Sequence, residues 1–242
     1  MKHLKTIMSV LVVFAAVSCA KTPSAGSGQV GFEIAGDYEI VEMTRSNLSA
    51  YTSVLPSSAD FTITLTGAYS WTGKISEWNA ATKLPAGEYS VTAEFGSIEE
   101  QGFDKPYFVG TKSFTVTDGE TATVLIPVKL GNTVVNLQFT DNFKNYYKDY
   151  SFTLSSQGKN IVFSKGETRA AFVDGWKVTL TGTYSKESGS PLTFSKEYSA
   201  LETATAYTFV FDVTNVGGAT LSVTFKDGYT ETVELGDKEL NE

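Results

Sequence analysis

The 242-residue chain has one histidine, His3, and one cysteine, Cys19. Nucleophilic sites of the Ser-His or Cys-His kind, zinc sites of imidazole and thiolate, and haem ligation by either all need such residues. Both sit in the opening stretch, Cys19 between an apolar run, Ile7 to Val17, and the Ser/Gly/Pro-rich segment "AKTPSAGSG" (20–28). The rest of the chain has only carboxylate, lysine and tyrosine chemistry left. Paired carboxylates serve glycoside hydrolysis when they converge at roughly 5–10 Å. Here Asp and Glu are spread along alternating segments and turns, the pattern of a solvated acidic face. No Asp-x-Asx-x-Asx-Gly calcium loop occurs. The expectation is a protein that is not an enzyme, with no metal and no cofactor.

The first 18 residues read as a secretory signal. Lys2 and Lys5 precede an apolar run of about 11 residues, too short for a bilayer-spanning helix, which needs roughly 20. No comparable run occurs later in the chain. Ala16-Val17-Ser18-Cys19 resembles the lipobox of bacterial lipoproteins, with Ala16 where Leu is commoner. That resemblance implies cleavage before Cys19 and acylation of its thiol and new amino group. Each buried CH₂ contributes about 0.8 kcal/mol, so two or three acyl chains hold a protein on a membrane almost permanently. Removing residues 1–18 takes away two lysines and no acid, leaving 17 basic and 27 acidic residues, net −10. Such a charge opposes binding to nucleic acid or, by charge alone, to anionic lipid.

Period-two alternation dominates the chain beyond this segment, with apolar residues on one face and Thr or Ser on the other. Phe61-Thr62-Ile63-Thr64-Leu65-Thr66 and Leu221-Ser222-Val223-Thr224-Phe225 are examples. Asp118-Gly119, Asp174-Gly175 and Asp227-Gly228 stand between such runs and read as hairpin turns. The expected fold is all-β, two tandem antiparallel β-sandwiches of the transthyretin or immunoglobulin kind. The halves resemble each other: "FTITLTGAYS" (61–70) aligns with "WKVTLTGTYS" (176–185), and "DGETATVLI" (118–126) with "DGYTETVEL" (227–235). With the signal peptide at 1–18 and the tether at 19–29, which the lipobox resemblance implies is lipidated, the matches divide the rest into an N-terminal sandwich at 30–131 and a C-terminal sandwich at 132–242.

Aromatic residues are the remaining candidates for ligand contact. Trp71 and Trp78 lie in a loop-rich stretch with Tyr69, and exposed indoles stack on sugar faces; Tyr107 is a third candidate. Trp71 shares the parity of the inward residues of the strand before it, which favours packing over binding. "FTDNFKNYYKDY" (139–150) breaks the alternation, with Phe139, Phe143, Tyr146, Tyr147 and Tyr150 near helical spacing. It reads as a short helix, capped by Thr140 or Asp141, that plugs the end of the second sandwich.

"LPAGEYSVTAEFG" (84–96), "FDKPYFVGTKSFTVTDGETATVLIPVKLGN" (103–132) and "FTDNFKNYYKDYSFTL" (139–154) resemble an uncharacterised family of Bacteroides-type secreted lipoproteins built of tandem β-sandwiches. The matching positions are Pro85, Ala86, Gly87 and Tyr89, then Asp104, Pro106, Tyr107, Phe108 and Gly110, then Asp118 and Gly119. The family is akin to fimbrillin-like adhesins. The resemblance implies an outer-membrane lipoprotein of a Gram-negative bacterium with a non-enzymatic adhesion, binding or structural role. Its partners would be the membrane, through the lipid, and other envelope or pilus proteins or glycans. Two alternatives stand beside it: a pilus-like subunit or pilus anchor, and a carbohydrate-binding module of an outer-membrane system. The polar C-terminal "GDKELNE" (236–242) makes a poor lent strand and favours an anchored single copy. Ala20 to Gly28 has no acidic residue and Lys21 is basic, so the chain does not declare which side of the membrane it faces.

Overall fold

Thr, Val, Tyr and Phe alternating along the chain suit pleated surfaces wet on one side, and they form strands throughout. A computed structural model describes residues 26–35, 41–42, 55–215, 218–224 and 230–235. The lipobox-like stretch, Asp227-Gly228 and "GDKELNE" lie outside the described residues. In chain order the strands are β1 (Ser27–Ala35), β2 (Val41–Glu42), β3 (Thr62–Thr66), β4 (Trp71–Lys74), β5 (Lys83–Pro85), β6 (Gly87–Phe95), β7 (Gly102–Phe103), β8 (Phe108–Val116), β9 (Thr121–Pro127) and β10 (Lys129–Leu130). Beyond them come β11 (Thr133–Phe139), helix α1 (Asp141–Tyr146), β12 (Asp149–Ser156), β13 (Lys159–Ser164), β14 (Ala171–Val173), β15 (Lys177–Ser185), β16 (Leu192–Ser199), β17 (Thr205–Asn215), β18 (Gly218–Thr224) and β19 (Thr230–Glu234).

Each half of the chain follows one plan. In the first half β1 pairs antiparallel with β5 and parallel with β9, facing a sheet of order β10-β8-β6-β3-β4. In the second, β11 pairs antiparallel with β14 and parallel with β17, facing a sheet of order β13-β12-β15-β16. The second half adds β18 and β19 beyond β17. By this plan β3 corresponds to β12, and β6 to β15. The sequence match of 61–70 with 176–185 instead lays β3 on β15, and that of 118–126 with 227–235 lays β9 on β19. The strand plan recurs, but the aligned segments are not its equivalent strands. Thr-rich alternation makes one inner strand look like another, so composition set that alignment.

The Asp-Gly turns also differ from expectation. Asp118-Gly119 and Asp174-Gly175 carry the chain from one sheet to the other, because β9 pairs with β1 and β14 with β11. The Asp carboxylates accept backbone hydrogens: Asp118 Oδ1 from Ser27 N at 2.9 Å and Asp174 Oδ1 from Trp176 N at 3.1 Å. The tight hairpin is Gln157-Gly158, with φ of 46° and 77°, between β12 and β13. The segment expected as a tether at 19–29 gives way to β1 at Ser27, because Ser27 and Gln29 bond to the 117–120 turn.

The second core is aromatic. Phe152 and Phe211 lie 4.2 Å apart between ring centroids, with Phe139, Phe143, Tyr150 and Tyr184 around them. Helix α1 closes that end as the spacing predicted: Thr140 Oγ1 accepts from Phe143 N at 3.2 Å, and Phe143 is fully buried. Gly182, opposite Phe152 in the ladder, leaves room for its ring; a Cβ there would lie 2.2 Å from Phe152 Cε1. Gly182→Ala should therefore cost about 1–3 kcal/mol by overpacking, read as a lower denaturant midpoint. Combining it with Phe152→Leu should recover part of the loss relative to the sum of the single changes.

Candidate functional site

The two tryptophans of the 71–78 stretch are tied into the first core. The Trp78 indole N–H donates to the Val30 carbonyl at 2.7 Å. Its ring lies 5.2 Å from that of Phe32 and 5.1 Å, edge on, from that of Trp71. Trp71 sits opposite Leu65 in the ladder and its ring lies across Gly73, where a Cβ would be 2.8 Å away. Both are half-buried against the core. They hold β4 and its following turn on β1.

Tyr107 belongs to the join between the two halves. Its ring packs on Gly131, its N–H donates to the Asn132 side-chain carbonyl at 2.5 Å, and its hydroxyl donates to Glu94 Oε1 at 2.7 Å. Burial, the hydrogen bond to Glu94 and the Glu94 charge push the phenol up to about 12. The same join holds Arg169, whose Nη1 meets Asp104 Oδ2 at 3.0 Å and whose Nη2 meets Glu167 Oε2 at 2.8 Å. The guanidinium lies 4.7 Å over the Phe103 ring. Hydrogen bonds from Arg169 hold the Glu167 carboxyl down to about 2. Among the described residues, no group of three or more His, Cys, Asp or Glu is placed to hold a metal ion.

The third tryptophan is the one the sequence did not single out for binding. Trp176 is 72 % exposed, more than any other large apolar side chain described. By parity it matches the buried Val178 and Leu180, which marks it for the core. Strand β15, however, starts only at Lys177, so Trp176 sits in the turn where alternation no longer applies. Its N–H donates to Asp174 Oδ1 and its carbonyl accepts from Ala200 N at 3.0 Å. Asp174 N in turn donates to Gln101 Oε1 at 2.9 Å, a residue of the first half. Beside the indole lies a concavity of about 500 Å³ lined by Ser155, Ser156, Gln157, Gly158, Lys177 and Thr179. An unpaired Trp in a turn after Asp-Gly is the signal that could have found it.

The family described as "Domain of unknown function (DUF4493)" matches residues 26–236. The chain belongs to that family. No curated protein matches the chain. Among solved structures it resembles a fimbrial assembly protein from Parabacteroides distasonis, with a TM-score of 0.51 at 8% identity over 86% of this chain and 99% of that one. A candidate cell adhesion protein from Bacteroides uniformis aligns with a TM-score of 0.46 at 9% identity, over 86% and 98% of the two chains. A candidate polysaccharide-binding protein from Bacteroides thetaiotaomicron aligns with a TM-score of 0.44 at 13% identity, over 90% and 100%. This DUF4493 chain therefore has the fimbrillin-like, all-β tandem-sandwich fold.

The Tyr107 phenol gives a pH signature. A tyrosine raised from 10 to about 12 in the folded chain contributes stability that is complete below pH 10 and is lost as pH climbs toward 12. Wild-type protein should lose more thermal stability across that window than Tyr107→Phe, in parallel melts from pH 9 upward. Equal losses would show that the Tyr107–Glu94 contact does not hold the join.

Proposed function

We propose that this DUF4493 protein is a lipid-anchored envelope protein with a non-enzymatic role in adhesion, binding or structure. The observation that carries the reading is the placement of the lone thiol. Cys19 comes after a charged start and a short apolar run, at the one position where acylation requires it. No helix among the described residues is long and apolar enough to cross a membrane, so in this reading the lipid does the anchoring. The chain then enters strand β1 of the first sandwich at Ser27. The Parabacteroides structure, a fimbrial assembly protein with the same fold, supports an envelope setting. Function on sandwiches sits at loops and edges, which a short lipid tether would hold near the membrane.

A pilus-like subunit is the second reading, and one observation favours it. Among the described residues β9 pairs only with β1, while its counterpart β17 pairs with both β11 and β18. A strand edge of that kind accepts a strand from a neighbour. Its Leu125 is 55 % exposed. Light scattering of the purified protein separates the two readings: a monomer favours the anchored single copy, an elongated series the subunit.

Anchoring has a direct measurement. Mass spectrometry of protein extracted from its native membrane should find residues 1–18 gone and Cys19 carrying acyl chains. Cys19→Ala should move the protein from the membrane pellet to the soluble fraction. An unmodified thiol, or an intact residue 1, contradicts the reading. Protease shaving of intact cells then assigns the face.

A further inference from the structure

We propose that the turn carrying Trp176 is a binding site for a neutral polysaccharide, with a sugar ring lying on the indole. Tryptophan is highly buried on average, and Trp71 and Trp78 obey that rule in this chain. Trp176 leaves 72 % of its surface in water. The backbone that carries the ring is pinned on either side, by Asp174 and Ala200. Asp174 is itself fixed twice, by Gln101 through its N–H and by the Ser156 hydroxyl on its carbonyl at 2.6 Å. A binding surface built in advance loses little freedom when a ligand arrives.

The surroundings select the ligand. A pyranose has a C–H face that suits an aromatic plane and a rim of hydroxyls that need donors and acceptors. Around the indole are Gln157, Thr179 and Lys177, and the concavity's lining has no second aromatic or aliphatic side chain. Among the described residues the Trp176 indole N–H, the Gln157 amide and the Thr179 hydroxyl have no hydrogen-bond partner. Lys177 pairs with Glu197 at 3.0 Å, so the rim carries no net charge, which suits an uncharged ligand. A proline-rich peptide also packs on tryptophan, but such grooves are lined by several aromatics, and this one has a single ring. The volume of about 500 Å³ falls within the range of small-molecule sites.

Gln157 is a second sign of design at this place. Its φ of 46° is a conformation that glycine and asparagine favour and glutamine rarely adopts. The hairpin keeps a long amide at the rim where a glycine would relieve the backbone, the kind of local cost that functional sites carry.

The proposal stands apart from the lipid anchor, because a protein lacking acyl chains would keep the site and one lacking the site would keep the anchor. The test uses the purified full chain in detergent. Isothermal calorimetry is run with dextran, laminarin, yeast mannan and galactomannan, with a proline decapeptide beside them. At least one of the four glycans should bind, and Trp176→Ala should weaken that binding by about tenfold or more. Tyr69→Ala, at an exposed aromatic elsewhere, should leave it unchanged. Gln157→Gly should raise the melting temperature while weakening binding several-fold, which separates a lost contact from a lost fold. Binding by none of the four glycans, equal binding by Trp176→Ala, or binding of the proline peptide alone would each overturn the proposal.

Discussion

The large sheet of the second sandwich ends on two residues that belong to the first. Strand β7 pairs with β14 through Ala171↔Phe103 and Phe172↔Gly102, and β2 pairs with the first two residues of β17. The apolar contacts cross in the other direction. Val134, Phe172 and Ala206 of the second half are buried in the core of the first. Backbone ladders and buried side chains thus pass through the join both ways, with the Tyr107–Asn132 bond and the Arg169 pairs at its rim. Reorienting one sandwich against the other would break ladder hydrogen bonds and expose buried apolar surface at once. The short link at Gly131-Asn132 is the covalent part of a much larger attachment.

That constraint reaches the turn proposed above as a binding site. The turn bearing Trp176 draws on both halves, since Asp174 bonds to Gln101 and Gly175 lies against Thr133 and Leu201. A site assembled this way keeps its geometry only while the join is closed. No such demand falls on the surface carboxylates. They cap turns, pair with lysines or meet solvent, as a scaffold requires.

The class of fold and the closing helix were legible because period-two and helical spacing are local signals. Phe143 and Tyr147 fell where the spacing placed them, both buried, whereas Tyr150 is buried from strand β12 instead. Partner choice was not legible. The parallel pairs, β1 with β9, β11 with β17 and β2 with β17, join strands far apart in the chain. No local pattern distinguishes an Asp-Gly hairpin from an Asp-Gly crossing. The same limit hid the shared strand β7, two residues long inside a loop. Among the candidate ligand contacts, Trp71 followed the parity of its neighbour strand, whereas Trp176 escaped the rule because the strand begins one residue later. Tyr107 was visible as an aromatic in a turn motif. Its place at the join depends on Gly131 and Asn132, whose approach no spacing predicts.

Calorimetry of the intact chain bears most directly on the shared join. If strands and cores cross it as described, both sandwiches should melt together in a single transition, with van 't Hoff and calorimetric enthalpies equal. Two resolved transitions, with one half remaining folded between them, would contradict the account.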